Sequence, residues 1–177
     1  MTSESTLTAP LENGFASDAL LDPMVSKAIA LIWHEATLLD AKNYVAWEAL
    51  WTPGGKYVIP IDPDTDDFES GLNMIYDDAR MRRMRVTRLT EGYSMSAVAS
   101  ARTARTISRF TVTANDGECV TLRSAQIIVG FKREKHLLLA ADLEHRISFV
   151  DGEPRLDLKV VRLVNSEGAV TASGFLL

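Results

Sequence analysis

The nitrogen and sulfur ligands this chain could offer a metal are three histidines and one cysteine, and their spacing argues against a metal site. A Rieske cluster needs two Cys and two His. A mononuclear facial triad needs two His and a carboxylate around open positions. His34 falls in a helical stretch, whereas His136 and His145 fall on one strand, nine residues apart. Side chains alternate along a strand, so an odd separation sends the two rings to opposite faces. Cys119 has no second cysteine, which excludes an intrachain disulfide and any multi-cysteine zinc or iron–sulfur site. It reads as a strand residue without redox work.

Acid–base chemistry is the next candidate. His145 shares a strand face with Leu139, Ala141, Leu143, Ile147 and Phe149. The commoner reading of such a residue is a core histidine satisfied by a nearby polar group. The functional reading is a general base in a pocket, with Asp40, Tyr44, Tyr57, Tyr76 or Tyr93 as partners. A third cluster is cationic: Arg80, Arg82, Arg83, Arg85 and Arg88 fall within one helical stretch. Solvated or intrachain-paired arginines explain it most simply. A protein interface comes second, and nucleic acid last.

The elements that would position these residues follow from periodicity. Met1 to Leu21 is rich in Ser, Thr and Ala and reads as a mobile arm that is either disordered or docks on a partner chain; residues 22–177 read as a single domain. Asp22-Pro23 is a helix start, followed by Val25, Ala28, Ile29, Ile32, Trp33 and Ala36 at helical spacing. A second helix is expected from Asp40 through Tyr44, Trp47 and Trp51, stopped by Pro53-Gly54-Gly55. The Trp and Tyr residues on these two helices are most simply core and rim packing. Tyr57–Ile61 and Leu72–Tyr76 read as short strands around an acidic loop. A third helix is expected from Asp77 or Asp78 to about Glu91. The second half reads as a meander: Arg105–Ala114, Glu118–Lys132, His136–Val150 and Leu156–Val164, with Asn115-Asp116-Gly117 as a hairpin turn. On the last strand, simple alternation places Leu156, Leu158, Val160 and Val164 on one face. Helices first and an antiparallel meander afterwards is an α+β pattern, three N-terminal helices on one strongly bent sheet.

Composition narrows the function classes. The net charge of −5 argues against sequence-independent nucleic-acid binding, which needs a basic surface. No apolar run reaches the roughly 18 residues of a membrane span. Neither a signal-peptide pattern nor a cysteine framework is present, so a soluble cytoplasmic protein is expected.

An ordered series of residues resembles a known family, the small (beta) subunits of aromatic-ring-hydroxylating dioxygenases. The series is Trp33-His34-Glu35-Ala36-Thr37-Leu38-Leu39-Asp40 with Tyr44, Trp47 and Leu50, then Tyr57-Val58-Ile59-Pro60. It continues with Ile75-Tyr76-Asp77-Asp78, Arg85-Val86 and Arg88-Leu89, then Ser100, Arg102, Thr103 and Arg105. The likeness runs from about Ile29 to Val164. Three places depart from the family pattern. Ala97-Val98-Ala99 stands where the family usually has a proline pair, Ala101 separates Ser100 from Arg102, and the ending is Ala172-Ser173-Gly174-Phe175-Leu176-Leu177.

The resemblance implies the cone-shaped fold of the nuclear-transport-factor-2-like superfamily. It implies a homotrimer of small subunits, commonly within a hetero-hexamer of three large (alpha) and three small chains. The large subunit would carry a Rieske [2Fe–2S] cluster and a mononuclear iron, with electrons delivered by a reductase, and the small subunit would carry neither cofactor nor catalytic residue. Tyr76, Asp77, Asp78, Arg85, Arg88, Arg102 and Arg105 are the motif positions, with structural or interface roles implied. The same superfamily contains isomerases and dehydratases. The alternative is therefore a stand-alone enzyme of that kind, using His145, Asp40 and Tyr44 as pocket residues.

Overall fold

The computed structural model describes residues 17–91, 102–132, 134–164 and 175–177. The helices are α1 (Ser17–Leu21), α2 (Pro23–Asp40), α3 (Tyr44–Glu48) and α4 (Ala79–Thr90). The strands are β1 (Trp51–Pro60), β2 (Asn73–Asp77), β3 (Arg102–Asn115), β4 (Cys119–Lys132), β5 (Lys135–Val150) and β6 (Glu153–Leu163). One open sheet runs in the order β2-β1-β6-β5-β4-β3. Every neighbouring pair is antiparallel except β1 and β6, which are parallel. The mainly antiparallel α+β architecture expected from the element order is the one observed.

The α2 helix starts as its sequence predicts. Asp22 Oδ1 accepts from the amides of Met24 (2.7 Å) and Val25 (3.2 Å), and Pro23 occupies the first turn. Its inward stripe is Val25, Ala28, Ile29, Ile32, Glu35, Ala36 and Leu39. Burying such a stripe contributes more than intrinsic propensity does. Leu39 and Trp47 belong to the same core as Val120, Leu122, Ile128, Leu143, Ile147 and Val161 on the meander strands. Helix α1 lies inside the segment read as an arm, and residues 1–16 lie outside the described residues.

Two elements differ from the sequence reading. The second helix begins at Tyr44, not Asp40, because Asp40 ends α2 and its carboxylate is held by β3; Asn43 caps α3, accepting from the Ala46 amide at 3.3 Å. Pro53-Gly54-Gly55 does not stop a helix but lies inside β1, where the register against β6 shifts between Trp51 and Lys56. A Cβ on Gly55 would stand 2.9 Å from the Trp51 ring and 3.0 Å from the Leu156 carbonyl oxygen, so close packing demands glycine here.

The meander turns follow their residues. Asp116 Oδ1 accepts from the amides of Glu118 (2.9 Å) and Cys119 (2.6 Å), and Gly117 takes φ +86°. Asp151 and Gly152 both have positive φ, the backbone signature of a tight hairpin turn. The face expected for β6 is corrected by a bulge. Ile147 pairs with Leu156 but Arg146 pairs with Leu158, so Asp157 is an extra residue. A one-residue insertion reverses the side-chain phase beyond it. Leu156 faces the core, whereas past the bulge it is Lys159, Val161 and Leu163 that lie opposite the inward residues His145, Leu143 and Ala141. Val164 is exposed.

Candidate functional site

The inner face of the sheet and the inward stripe of α2 bring three ionisable groups together. Glu35 comes from α2, His145 from β5 and Lys159 from β6, and all three side chains are fully buried. Glu35 Oε1 accepts from Lys159 Nζ at 2.9 Å and from Trp47 Nε1 at 2.9 Å. Its Oε2 lies 3.4 Å from His145 Nε2, a contact of charge and dipole too long for a well-formed hydrogen bond. Lys159 Nζ also donates to the main-chain oxygen of Leu177 at 2.9 Å. The Tyr57 hydroxyl donates to that same oxygen at 3.1 Å and accepts from the Leu177 amide at 3.1 Å.

The electrostatics follow from this arrangement. Burial opposes ionisation of Glu35, but the Lys159 ammonium and the His145 contact outweigh it and hold the carboxyl at about 2. Burial pushes His145 below its ordinary value, with Glu35 pulling the other way, so the ring is neutral at pH 7. Burial likewise lowers Lys159 against the pull of Glu35, and it raises the Tyr57 phenol. The site is a Glu35–Lys159 ion pair with a neutral imidazole beside it.

The motif arginines and carboxylates form struts. Arg85 grips the buried Asp77 carboxylate with two hydrogen bonds, Nε to Oδ2 at 2.6 Å and Nη2 to Oδ1 at 3.0 Å. That ties the end of β2 to α4, which Asp78 caps by accepting from the Met81 amide at 2.8 Å. Arg105 joins Asp40 at the end of α2, and its amide donates to Asp40 Oδ2 at 2.8 Å. Thr103 Oγ1 donates to Asp40 Oδ1 at 2.7 Å, and Arg105 Nη2 reaches the Leu176 carbonyl. Tyr76 has Lys56 over its ring at 4.9 Å and lies 3.4 Å from Glu69, while Arg88 and Arg102 are exposed.

Within the arginine-rich helix, Arg82 is buried against Glu48 (3.1 Å) and over the Trp51 ring (4.3 Å). With Arg85, it accounts for two of the five as intrachain partners; Arg80, Arg83 and Arg88 face outward. His34 and His136 are exposed, and His136 sits against the Phe131 ring at 5.1 Å.

Among the proposed pocket residues, His145 is inward as predicted and shares its face with Leu139, Ala141, Leu143 and Ile147. Asp40 is held by Arg105 and Thr103, and the Tyr44 hydroxyl is buried without a hydrogen-bond partner. Tyr93 lies outside the described residues. The groups that do meet His145 were not singled out. Glu35 was legible, since it stands three residues from Ile32, four from Leu39 and seven from Ala28 on the apolar stripe. Lys159 was hidden by the bulge at Asp157. Among the described residues no group of three or more His, Cys, Asp or Glu could hold a metal ion. The Glu35 carboxylate is also a poor ligand, because an ammonium already stands 2.9 Å from it.

The opposite face of the sheet is apolar where the meander strands run side by side. Ile127, Val129 and Phe131 on β4 are 50%, 47% and 42% exposed, and Leu138 on β5, paired with Val129, is 68% exposed.

The family model for the ring hydroxylating beta subunit matches residues 34–167. The chain belongs to the ring-hydroxylating beta-subunit family. The small oxygenase component of the p-cumate 2,3-dioxygenase system of Pseudomonas putida is 29% identical over 141 residues, covering 75% of this chain and 78% of that protein. The crystal structure of the beta subunit of benzoate 1,2-dioxygenase from Burkholderia mallei superposes with a TM-score of 0.69 at 21% identity, over 86% of this chain and 97% of that one. A naphthalene 1,2-dioxygenase structure with indole bound matches with a TM-score of 0.65 at 18% identity, over 85% of this chain and 82% of that one. At these identities the structures speak for the fold alone. The beta-subunit family supplies a component of an oxygenase system.

Proposed function

We propose that the chain is the non-catalytic small subunit of a cytoplasmic Rieske-type aromatic-ring-hydroxylating dioxygenase that acts in the catabolism of aromatic compounds. It forms a homotrimer that supports the assembly and stability of an iron-bearing large subunit, commonly as a hetero-hexamer. The Rieske cluster and mononuclear iron belong to that partner. The observation that carries the reading is the state of the acid–base cluster that the inner face assembles among the described residues. All three side chains, Glu35, His145 and Lys159, are buried; Lys159 is bonded to Glu35 and to the Leu177 main chain, and His145 Nε2 lies 3.4 Å from Glu35 Oε2. A general base must reach the proton it abstracts, and here the imidazole faces a carboxylate in a closed interior. The motif pairs Asp77–Arg85 and Asp40–Arg105 join helices to strands, as scaffold positions would. The exposed apolar strip on β4 and β5 supports burial between chains, since contiguous exposed apolar surface marks interaction sites.

Co-expression with a large subunit that carries the Rieske Cys-X-His and Cys-X-X-His pairs tests this role. The expected result is co-purification of the two chains and a more stable or more active large subunit. Purified, metal-free chain that turns over a small carbonyl or hydroxyl compound, and loses that turnover with His145→Gln, would overturn it in favour of the stand-alone enzyme.

A further inference from the structure

Helix α4 carries five arginines in 12 residues and no acidic residue. Two of the five build the fold. Arg82 is buried against Glu48, the Gly55 carbonyl and the Trp51 ring, and Arg85 grips Asp77. Together with the Asp78 cap, these contacts fix the rotation of the helix as well as its position. The other three, Arg80, Arg83 and Arg88, are exposed and have no ion pair among the described residues. At about 100° per residue, Arg83, Thr87, Arg80, Met84, Arg88 and Met81 follow one another around a single outward face, and all six are exposed. Met84 stands one turn from Arg80 and one turn from Arg88, inside the cationic cluster. Like charges three or four residues apart repel, and these three stand against the sign of a chain whose net charge is −5. The fold leaves that repulsion unanswered, and an acidic partner would answer it.

The composition of the face selects the kind of partner. Arg and Met are both enriched at protein interfaces, whereas Lys is depleted there, and α4 has no lysine. Nucleic acid calls for a broad basic surface, and helices that lie on membranes carry Trp, Phe or Leu on their apolar side, where α4 has methionine. Guanidinium groups match carboxylates with two parallel hydrogen bonds. The face is already held in place, so little ordering is lost on docking. It also lies away from the exposed apolar strip. Helix α4 packs on β1, β2 and α3, whereas Ile127, Val129, Phe131 and Leu138 lie on β4 and β5, beyond β6 in the sheet. Copies joined through the strip leave α4 open to a different chain. We propose that the outward face of α4, Arg80, Arg83 and Arg88 around Met84, is the docking surface for an acidic face of the large subunit, a choice of partner that rests on the subunit role proposed above.

The test uses the full-length chain and a purified large subunit that carries the Rieske Cys-X-His and Cys-X-X-His pairs, with affinity measured by calorimetry. Arg80→Glu/Arg83→Glu/Arg88→Glu should weaken binding on the order of 100-fold and Arg83→Glu alone about tenfold. Lys27→Glu, the same change of charge on the exposed side of α2, should leave binding within about twofold of native. A native chain that does not bind the large subunit removes the subunit role and this docking face together. A native chain that binds, while the triple variant binds equally well or Lys27→Glu weakens binding as much as Arg83→Glu, removes the docking face alone. Phosphatidylserine vesicles or duplex DNA held by the native chain at physiological salt, and released by the triple variant, would reassign the face to lipid or nucleic acid and overturn the proposal. If the triple variant does not fold, arginine labelling of the native chain decides. Phenylglyoxal should modify Arg80, Arg83 and Arg88 in the chain alone and be blocked there by the large subunit, with the exposed Arg109 and Arg123 labelled alike in both states. Labelling of the α4 arginines that is unchanged in the complex overturns the proposal equally.

Discussion

Glu35 and Lys159 form a buried ion pair, and its two halves cannot be removed singly at low cost. Glu35→Gln leaves an ammonium in the core without a counter-charge, and Lys159→Met leaves a carboxylate. Each is expected to cost about 3–5 kcal/mol in chemical denaturation. The double variant should cost clearly less than the sum, since no unpaired charge remains. Strict additivity would mean that the two groups do not interact. His145 gives the pH signature. Its folded pKa lies below its ordinary 6.5, so its stabilising contribution is complete above 6.5 and is lost as pH falls below that value. Glu35, held at about 2 against an ordinary 4.5, has its contribution intact above 4.5 and loses it as pH falls through about 2. The His145 window therefore opens at 6.5, whereas that of Glu35 opens only at 4.5. The melting temperature should drop between pH 7 and 5, and His145→Gln should flatten that slope while leaving the loss at lower pH. A His145→Gln variant with the full native slope from pH 7 to 5 would show that another group titrates there.

At the scale of elements, glycine and bulges decide what packs where. Gly55 carries the irregular part of β1, with Trp51 and the Leu156 carbonyl at contact distance. Gly55→Ala should destabilise by about 1–3 kcal/mol, the usual cost of overpacking, read as a shift in denaturant midpoint. Gly54, with nothing within 4 Å of a built Cβ, is the matched control and should tolerate alanine far better. These irregularities also set how much could be read in advance. The caps at Asp22 and Asp78, the Asn115-Asp116-Gly117 turn and the inward face of β5 are local, so spacing and residue type exposed them. The parallel pairing of β1 with β6 and the extra residue at Asp157 depend on contacts far apart in sequence. For that reason Lys159, which looks like an outward strand residue by simple alternation, turned out to be the buried partner of Glu35. Helix spacing puts Glu35 itself on the apolar stripe, three residues from Ile32 and four from Leu39. Asp40 was misplaced for a related reason. A residue type that commonly caps helices here accepts from Thr103 and Arg105 across 63 and 65 positions of sequence.

At the scale of the whole molecule, the two faces of the sheet have different fates. The inner face is covered by α2 and closes on the charged cluster. The outer face leaves Ile127, Val129, Phe131 and Leu138 together in the open, along neighbouring positions of β4 and β5. If copies of the chain join through this strip, a charge at its most exposed member should separate them without harming the fold. Leu138 is 68% exposed, so Leu138→Glu removes little core packing. Surface changes of this kind usually alter stability by only about 0.5 kcal/mol in either direction. Placing a carboxylate against apolar partner surface instead forces its desolvation on every association. Multi-angle light scattering should therefore report a trimer for the native chain and a smaller species for Leu138→Glu at the same concentration, with near-identical melting in dilute solution. Arg88→Glu, on the exposed face of α4 and away from the strip, serves as the charge control and should leave the trimer intact. A Leu138→Glu chain that still forms the native assembly would remove the strip from consideration as the joint, and dissociation by Arg88→Glu alone would move the joint to α4.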